Sequence, residues 1–147
     1  MGPRSVFITG ASRGLGLEFV RQILSQPSPP QFLFASCIDA SRADELQALS
    51  KKNSSLQILQ MDVTKDDEIA SAFEQTRAVL LDRGLNLLIN NAGIYSTEDT
   101  GFLETQTRER LQSHFNTNVT GKNYSYSNSV RSFLFRNLIV GVTLHKT

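Results

Sequence analysis

Thr9-Gly10-Ala11-Ser12-Arg13-Gly14-Leu15-Gly16 stands between an apolar run, Ser5-Val6-Phe7-Ile8, and a helical pattern, Leu17-Glu18-Phe19-Val20-Arg21-Gln22-Ile23-Leu24. Strand, glycine turn and helix in that order are the context in which spaced glycines mark a dinucleotide site. Gly10 lets the chain turn sharply off the strand. Gly14 removes a Cβ where backbone has to approach a pyrophosphate, and Gly16 lets the helix pack closely on the strand. The helix start, at Gly14, Leu15 and Gly16, offers unpaired N–H groups and a positive dipole end to phosphate. Ser12 has a hydroxyl for a phosphate or for the helix cap, and both roles stay open.

Strand and helix patterns alternate along the rest of the chain, which predicts parallel βαβ units. Pro27-Ser28-Pro29-Pro30 closes the first helix, and Phe32-Leu33-Phe34-Ala35-Ser36-Cys37 reads as the second strand. Ser41-Arg42-Ala43-Asp44 has the form of a capping box for a helix carrying Leu46 and Leu49. Leu56-Gln57-Ile58-Leu59-Gln60-Met61 is a third strand ending in Asp62-Val63-Thr64. A helix then starts near Thr64, with acids at its positive end and Ile69, Phe73, Thr76 and Leu80 on one face. Gly84 ends it. A fourth strand, Leu85-Asn86-Leu87-Leu88-Ile89, runs into Asn90-Asn91-Ala92-Gly93, a loop covers Tyr95 to Leu103, and a helix through Leu111 and Phe115 carries Asn118. The expected fold is α/β, a doubly wound parallel sheet of the Rossmann type with strand order 3-2-1-4. Gly10, Asp62 and Asn90 then fall together at the carboxyl ends of the strands.

The glycine spacing with its preceding Thr9, the Asp62-Val63-Thr64 turn, Asn90-Asn91-Ala92-Gly93 and Asn118-Val119-Thr120-Gly121 occur in the order in which they occur in the short-chain dehydrogenase/reductase family, which this chain resembles from Arg4 to Gly121. The flavour is closest to its C-factor/sniffer-like carbonyl reductase branch. The resemblance implies a nicotinamide dinucleotide cofactor and hydride exchange with a carbonyl or alcohol substrate. It implies that Asp62, with Val63, contacts adenine, although an ordinary turn aspartate beside Thr64 reads the same. Asn90 and Asn91 would brace the strand end and the cofactor, although asparagine also favours turns by itself. Ala92 and Gly93 would keep the adenosine-ribose side open. Asn118 corresponds to the family's active-site asparagine. Arg13 lies where the NADP-preferring branch has a basic residue, which favours NADP over NAD. At the end of the second strand, Cys37 takes the place of a ribose-binding acid and Ile38 that of an arginine; Asp39 and Arg42 come later.

The family's Ser and Tyr-x-x-x-Lys do not follow. Four residues after Tyr95 is Asp99, after Tyr124 is Asn128, and after Tyr126 is Val130. Full family members run to about 250 residues, the upper end of single-domain size, against 147 here. The expectation is a truncated, catalytically incomplete form: residues 1–121 as the cofactor-binding half and residues 122–147 as a divergent tail, of the kind that alternative splicing or intron read-through produces. A non-catalytic nucleotide-binding or partner-binding module is the alternative. Lys122-Asn123-Tyr124-Ser125-Tyr126-Ser127-Asn128-Ser129 is rich in Ser and Asn, which favour turns over helix interiors. Leu138-Ile139-Val140-Gly141-Val142-Thr143-Leu144 has the composition of a strand, which would put Thr143 near the place of the family's Ser.

With 15 basic and 14 acidic residues the net charge is +1, so nothing points to nucleic acid or an anionic membrane as partner. Cys37 is the only cysteine, which fits a reducing compartment, and a cytoplasmic location is expected. No signal peptide or membrane span is expected, and His114, His145 and Cys37 have no metal-ligand spacing. Family members usually dimerise through long helices, so a dimer and an exposed apolar helix face are expected.

Overall fold

A computed structural model describes residues 2–94 and 107–132. The elements are β1 (Ser5–Ile8), α1 (Gly14–Leu24), β2 (Phe32–Cys37), α2 (Asp44–Lys52), β3 (Leu56–Gln60), α3 (Asp66–Leu80), β4 (Leu87–Ile89), α4 (Arg108–Phe115) and α5 (Gly121–Ser132). The four strands are parallel and ordered β3-β2-β1-β4. This is the α/β arrangement that the alternating pattern predicts.

Alternation along the strands builds two cores. Val6, Ile8, Leu33, Ala35, Cys37 and Leu56 face α1 and α2, where Leu17, Val20 and Leu46 meet them. Phe7, Phe34, Leu59 and Leu88 face α3, and the Phe73 ring stacks on Phe7 at 4.8 Å between centroids. Ile69, Phe73, Thr76 and Leu80 are all buried, as their shared face requires. Continuous apolar strands covered on both faces are what a parallel sheet needs, because crossovers place helices on each side.

The structure differs from sequence expectation at local boundaries. The Ser41–Asp44 capping box does not form. Asp39 instead accepts from the Ser41 N–H at 2.9 Å and from its hydroxyl at 2.6 Å, capping a short 3-10 turn, Ala40–Arg42. Ala43 then opens α2 with no side-chain cap. A competing acceptor two residues upstream wins because its turn closes locally. β4 starts at Leu87, since Asn86 is used otherwise: its side-chain oxygen accepts from the N–H groups of Arg4 and Ser5 and ties the start of β1 to that of β4. The helix after Asp62 begins at Asp66, and Gly84, at φ +70°, ends the 3-10 turn that follows it.

The Ser- and Asn-rich segment from Lys122 is helical. α4, a π-helical turn over Asn116–Thr120 and α5 follow without a break from Arg108 to Ser132. Ser125 and Ser129 are buried. Their hydroxyls donate to the Gly121 and Tyr126 carbonyls, at 2.8 and 2.6 Å, so the helix itself absorbs the groups that argue for turns. Packing of α5 on α3 supplies what local propensity lacks. The Tyr95–Leu103 loop and the Leu138–Leu144 run with Thr143 lie outside the described residues.

Candidate cofactor-binding site

β1 delivers the chain to Gly10, which takes φ +67°, and Gly14 follows at φ +57°. Both are left-handed, a conformation that costs about 1–2 kcal/mol for a residue with a Cβ. Gly14 differs from Gly10 and Gly16 in its surroundings. A Cβ on Gly16 would strike the Gly10 carbonyl and come within 2.5 Å of the Asn91 amide, and one on Gly10 would lie 2.8 Å from the Ala92 Cα. A Cβ on Gly14 would meet nothing within 4 Å. Gly10 and Gly16 are therefore closed by the protein, whereas Gly14 faces open space at the start of α1.

The loop after β4 locks this turn. The Asn91 side chain donates to the carbonyls of Thr9 and Gly10, both at 3.0 Å, and the Ala92 N–H donates to the Thr9 hydroxyl at 2.9 Å. Ala11 N–H donates to the Ser36 carbonyl at 2.8 Å, fixing the turn to the end of β2. Arg13 is the N-cap of α1, and no side chain caps that helix, so Ser12 does not serve as a cap. The first-turn N–H groups of a helix have no partner within it. Gly14 and Leu15 are exposed there beside exposed Arg13, and Gly16 is buried.

At the end of β3, one oxygen of Asp62 accepts from the Thr64 N–H at 2.9 Å and from its hydroxyl at 2.8 Å. The Asp62 N–H donates to Glu68 at 2.8 Å, and Glu68 pairs with Lys65 at 2.7 Å. Hydrogen bonding to Lys65, and then the Asp62 N–H, holds the Glu68 carboxyl below its ordinary range. No described hydrogen bond uses the second Asp62 oxygen or the Val63 N–H. Asn90 is buried, and its side-chain oxygen has no partner among the described residues. A buried acceptor left unpaired calls for a ligand or water.

Asn118 lies in the π-helical turn, and its side chain is committed. It accepts from the Ile94 N–H at 2.9 Å and donates to the Ile94 carbonyl at 3.0 Å. Gly93 makes room for this grip, since a Cβ there would lie 3.0 Å from the Asn118 oxygen. Asn118 thus holds the chain after β4 through its side chain. Gly93, read from sequence as keeping the ribose side open, makes way for Asn118.

At the end of β2, Cys37 is buried, and burial followed by the nearby Asp39 pushes its thiol up. Asp39 is spent on Ser41, whose side-chain hydrogen bond holds its carboxyl low. Neither Arg13 nor Arg42 forms a salt bridge among the described residues. No group of metal-ligating side chains occurs among the described residues, and none of their helices is long and apolar enough to cross a membrane. Sequence reading passed over the Thr9 hydroxyl, Glu68 and the contact of Gly121 described below. An acid at the third position of α3 and a lone glycine inside a helix were the available signals.

The family model for short chain dehydrogenase matches residues 4–136. The chain belongs to that family. The match runs past Gly121, in keeping with the helix that continues there. Among curated relatives, 17-beta-hydroxysteroid dehydrogenase type 6 of Bos taurus is 33% identical over 116 residues, 79% of this chain and 34% of that protein. Carbonyl reductase Sniffer of D. melanogaster is 32% identical with a TM-score of 0.84, over 88% of this chain and 52% of that one. An NADPH-bound carbonyl reductase from chicken fatty liver is 36% identical with a TM-score of 0.83, over 88% and 51%. The chain spans about a third of the length of such curated relatives and about half that of the solved structures.

Proposed function

We propose that this chain binds NADP(H), in preference to NAD(H), as the cofactor half of a reductase acting on carbonyl and alcohol groups. The observation that carries the reading is the contrast within the glycine turn. Gly10 and Gly16 are filled by the protein, while Gly14 opens on space in front of an uncapped helix start. The donors at Gly14, Leu15 and Gly16, with the Ser12 hydroxyl, suit a pyrophosphate. Asp62 and Val63 suit adenine, with one acceptor and one donor left over. Asn90 and Ala92 would flank the ribose. Arg13 suits a 2′-phosphate, and Asp39, spent on Ser41, does not compete for a ribose 2′-hydroxyl. The bound nicotinamide would supply the hydride. Asn118 orders the chain beyond β4 beside it.

The second reading is a nucleotide- or partner-binding module without turnover. It is favoured by exposed Leu111 and Phe115 on one face of α4, which a second copy of the chain would cover. A cytoplasmic setting suits the buried free thiol of Cys37.

Calorimetric titration with NADPH and NADH tests the binding. NADPH is expected to bind about ten- to a hundredfold more tightly, the worth of one charge-assisted contact, and Arg13→Ala to erase the difference. Equal affinity for the two in the unaltered chain sinks the NADP assignment. NADPH oxidation against aldehydes, quinones and ketones separates the two readings. The chain by itself is expected to stay at background, because a positioned acid or base contributes about 10²–10⁴-fold.

A further inference from the structure

We infer that Gly121 is a positioning residue for adenine recognition: it sets the place of the Asp62-Val63-Thr64 turn from a different element. The inference rests on the adenine reading of Asp62 given above. A Cβ on Gly121 would strike the Val63 carbonyl oxygen and come within 3.0 Å of its carbon and 3.1 Å of its Cβ. The obstruction is backbone, so no side-chain rotation relieves it. Gly121 has ordinary helical angles, φ −60° and ψ −39°, so glycine is needed there for space and not for conformation. Neither surface is free to retreat. On one side, α5 is seated on α3, with Ser125 and Ser129 buried and Tyr124 packed against the core around Phe73 and Leu88. On the other, the turn is strung between the end of β3 and the start of α3, and Glu68 holds the Asp62 N–H from below.

The same helix grips a second loop three residues earlier, where Asn118 holds Ile94 by both its N–H and its carbonyl. One rigid element therefore fixes the turn after β3 and the loop after β4. The added methyl of Gly121→Ala has to be relieved at the turn, which moves the Asp62 carboxylate relative to a dinucleotide held at Gly14.

The test uses the full 147-residue chain with NADPH and its hypoxanthine analogue, which lacks the 6-amino donor. Wild type is expected to favour NADPH about ten- to a hundredfold, from one hydrogen bond to a charged acceptor. In Gly121→Ala the ratio falls towards one, and Asp62→Ala does the same. The double variant shows no further loss. Ser129→Ala, which removes a buried hydroxyl further along the helix, lowers the melting temperature but keeps the ratio. A Gly121→Ala protein that folds and keeps the wild-type ratio overturns the inference and leaves the adenine reading standing. A wild type that ignores the 6-amino group overturns both. If Gly121→Ala does not fold, hydrogen exchange of the wild type decides. NADPH should slow exchange in the first turns of α5 together with Val63, and reduced nicotinamide mononucleotide should not. Equal protection of α5 by the two ligands, or none by either, overturns the inference.

Discussion

The glycine turn after β1 and the long helix from Arg108 to Ser132 hold the candidate site from opposite sides, and they are built on different terms. The turn joins a strand and a helix that form on their own pattern: two of its residues are glycines at left-handed angles, its strand and helix have strong apolar periodicity, and Asn91 clasps the Thr9 and Gly10 carbonyls. The helix is dictated from outside. Its first part leaves Leu111 and Phe115 exposed, and its second part is Ser- and Asn-rich. What holds it are a glycine against the Val63 carbonyl, an asparagine on Ile94 and a face on α3. A segment whose flanking elements form on their own pattern keeps part of its shape when a clasp is lost. A segment held by contacts keeps its shape only while they last.

The sharpest way to break this contrast is inside the turn. Gly16→Val is expected to destabilise the fold by about 3 kcal/mol, the upper end for overpacking, because the Gly10 carbonyl and Asn91 leave no room. Gly14→Val should cost only the left-handed penalty of about 1–2 kcal/mol, yet weaken NADPH binding by more than about a hundredfold, or about 2.7 kcal/mol. Urea unfolding read beside calorimetry separates the two. If both variants lose stability equally, Gly14 is not the open position.

A smaller effect is expected on the helix side. Asn118→Ala removes two hydrogen bonds to Ile94 and should lower unfolding free energy by about 1–2 kcal/mol, at about 1 kcal/mol each. Asn118→Asp keeps the oxygen that accepts from the Ile94 N–H but sets a carboxylate oxygen, an acceptor only, against the Ile94 carbonyl, and should lose at least as much at neutral pH. An Asn118→Asp chain as stable as the unaltered one would mean that the grip on the Ile94 carbonyl contributes nothing.

The smallest effect concerns acid. The Glu68 carboxyl is held below its ordinary range by Lys65 and the Asp62 N–H. A depressed carboxyl contributes stability that is present above its unfolded pKa and is lost as pH falls through the folded one. Glu68→Gln should therefore lower the urea midpoint slightly at neutral pH. Its curve should rejoin that of the wild type below the carboxylate range. A gap that persists in acid would assign the effect to packing.

How much was legible follows the same division. β1 and β2 coincide with the apolar runs read from sequence, and the face of α3 is the predicted one. The helix over Lys122–Ser129 was not legible, because Ser and Asn penalties of a few tenths of a kcal/mol per residue are outweighed by burial that no local pattern announces. The Ser41–Asp44 signal failed for a related reason: Asp39, outside the motif, captured Ser41 first.

The sequence by itself determined the alternation of parallel strands and helices, their order, and the collection of Gly10, Asp62 and Asn90 at one edge. Periodicity and glycine placement are local properties, and the crossover rule turns them into topology. Only the tertiary structure decided which glycine faces a ligand and which faces the protein, what Asn118 holds, and that Gly121 abuts the Val63 carbonyl. Those facts depend on distances between segments tens of residues apart, which are set when both sheet faces are packed to completion.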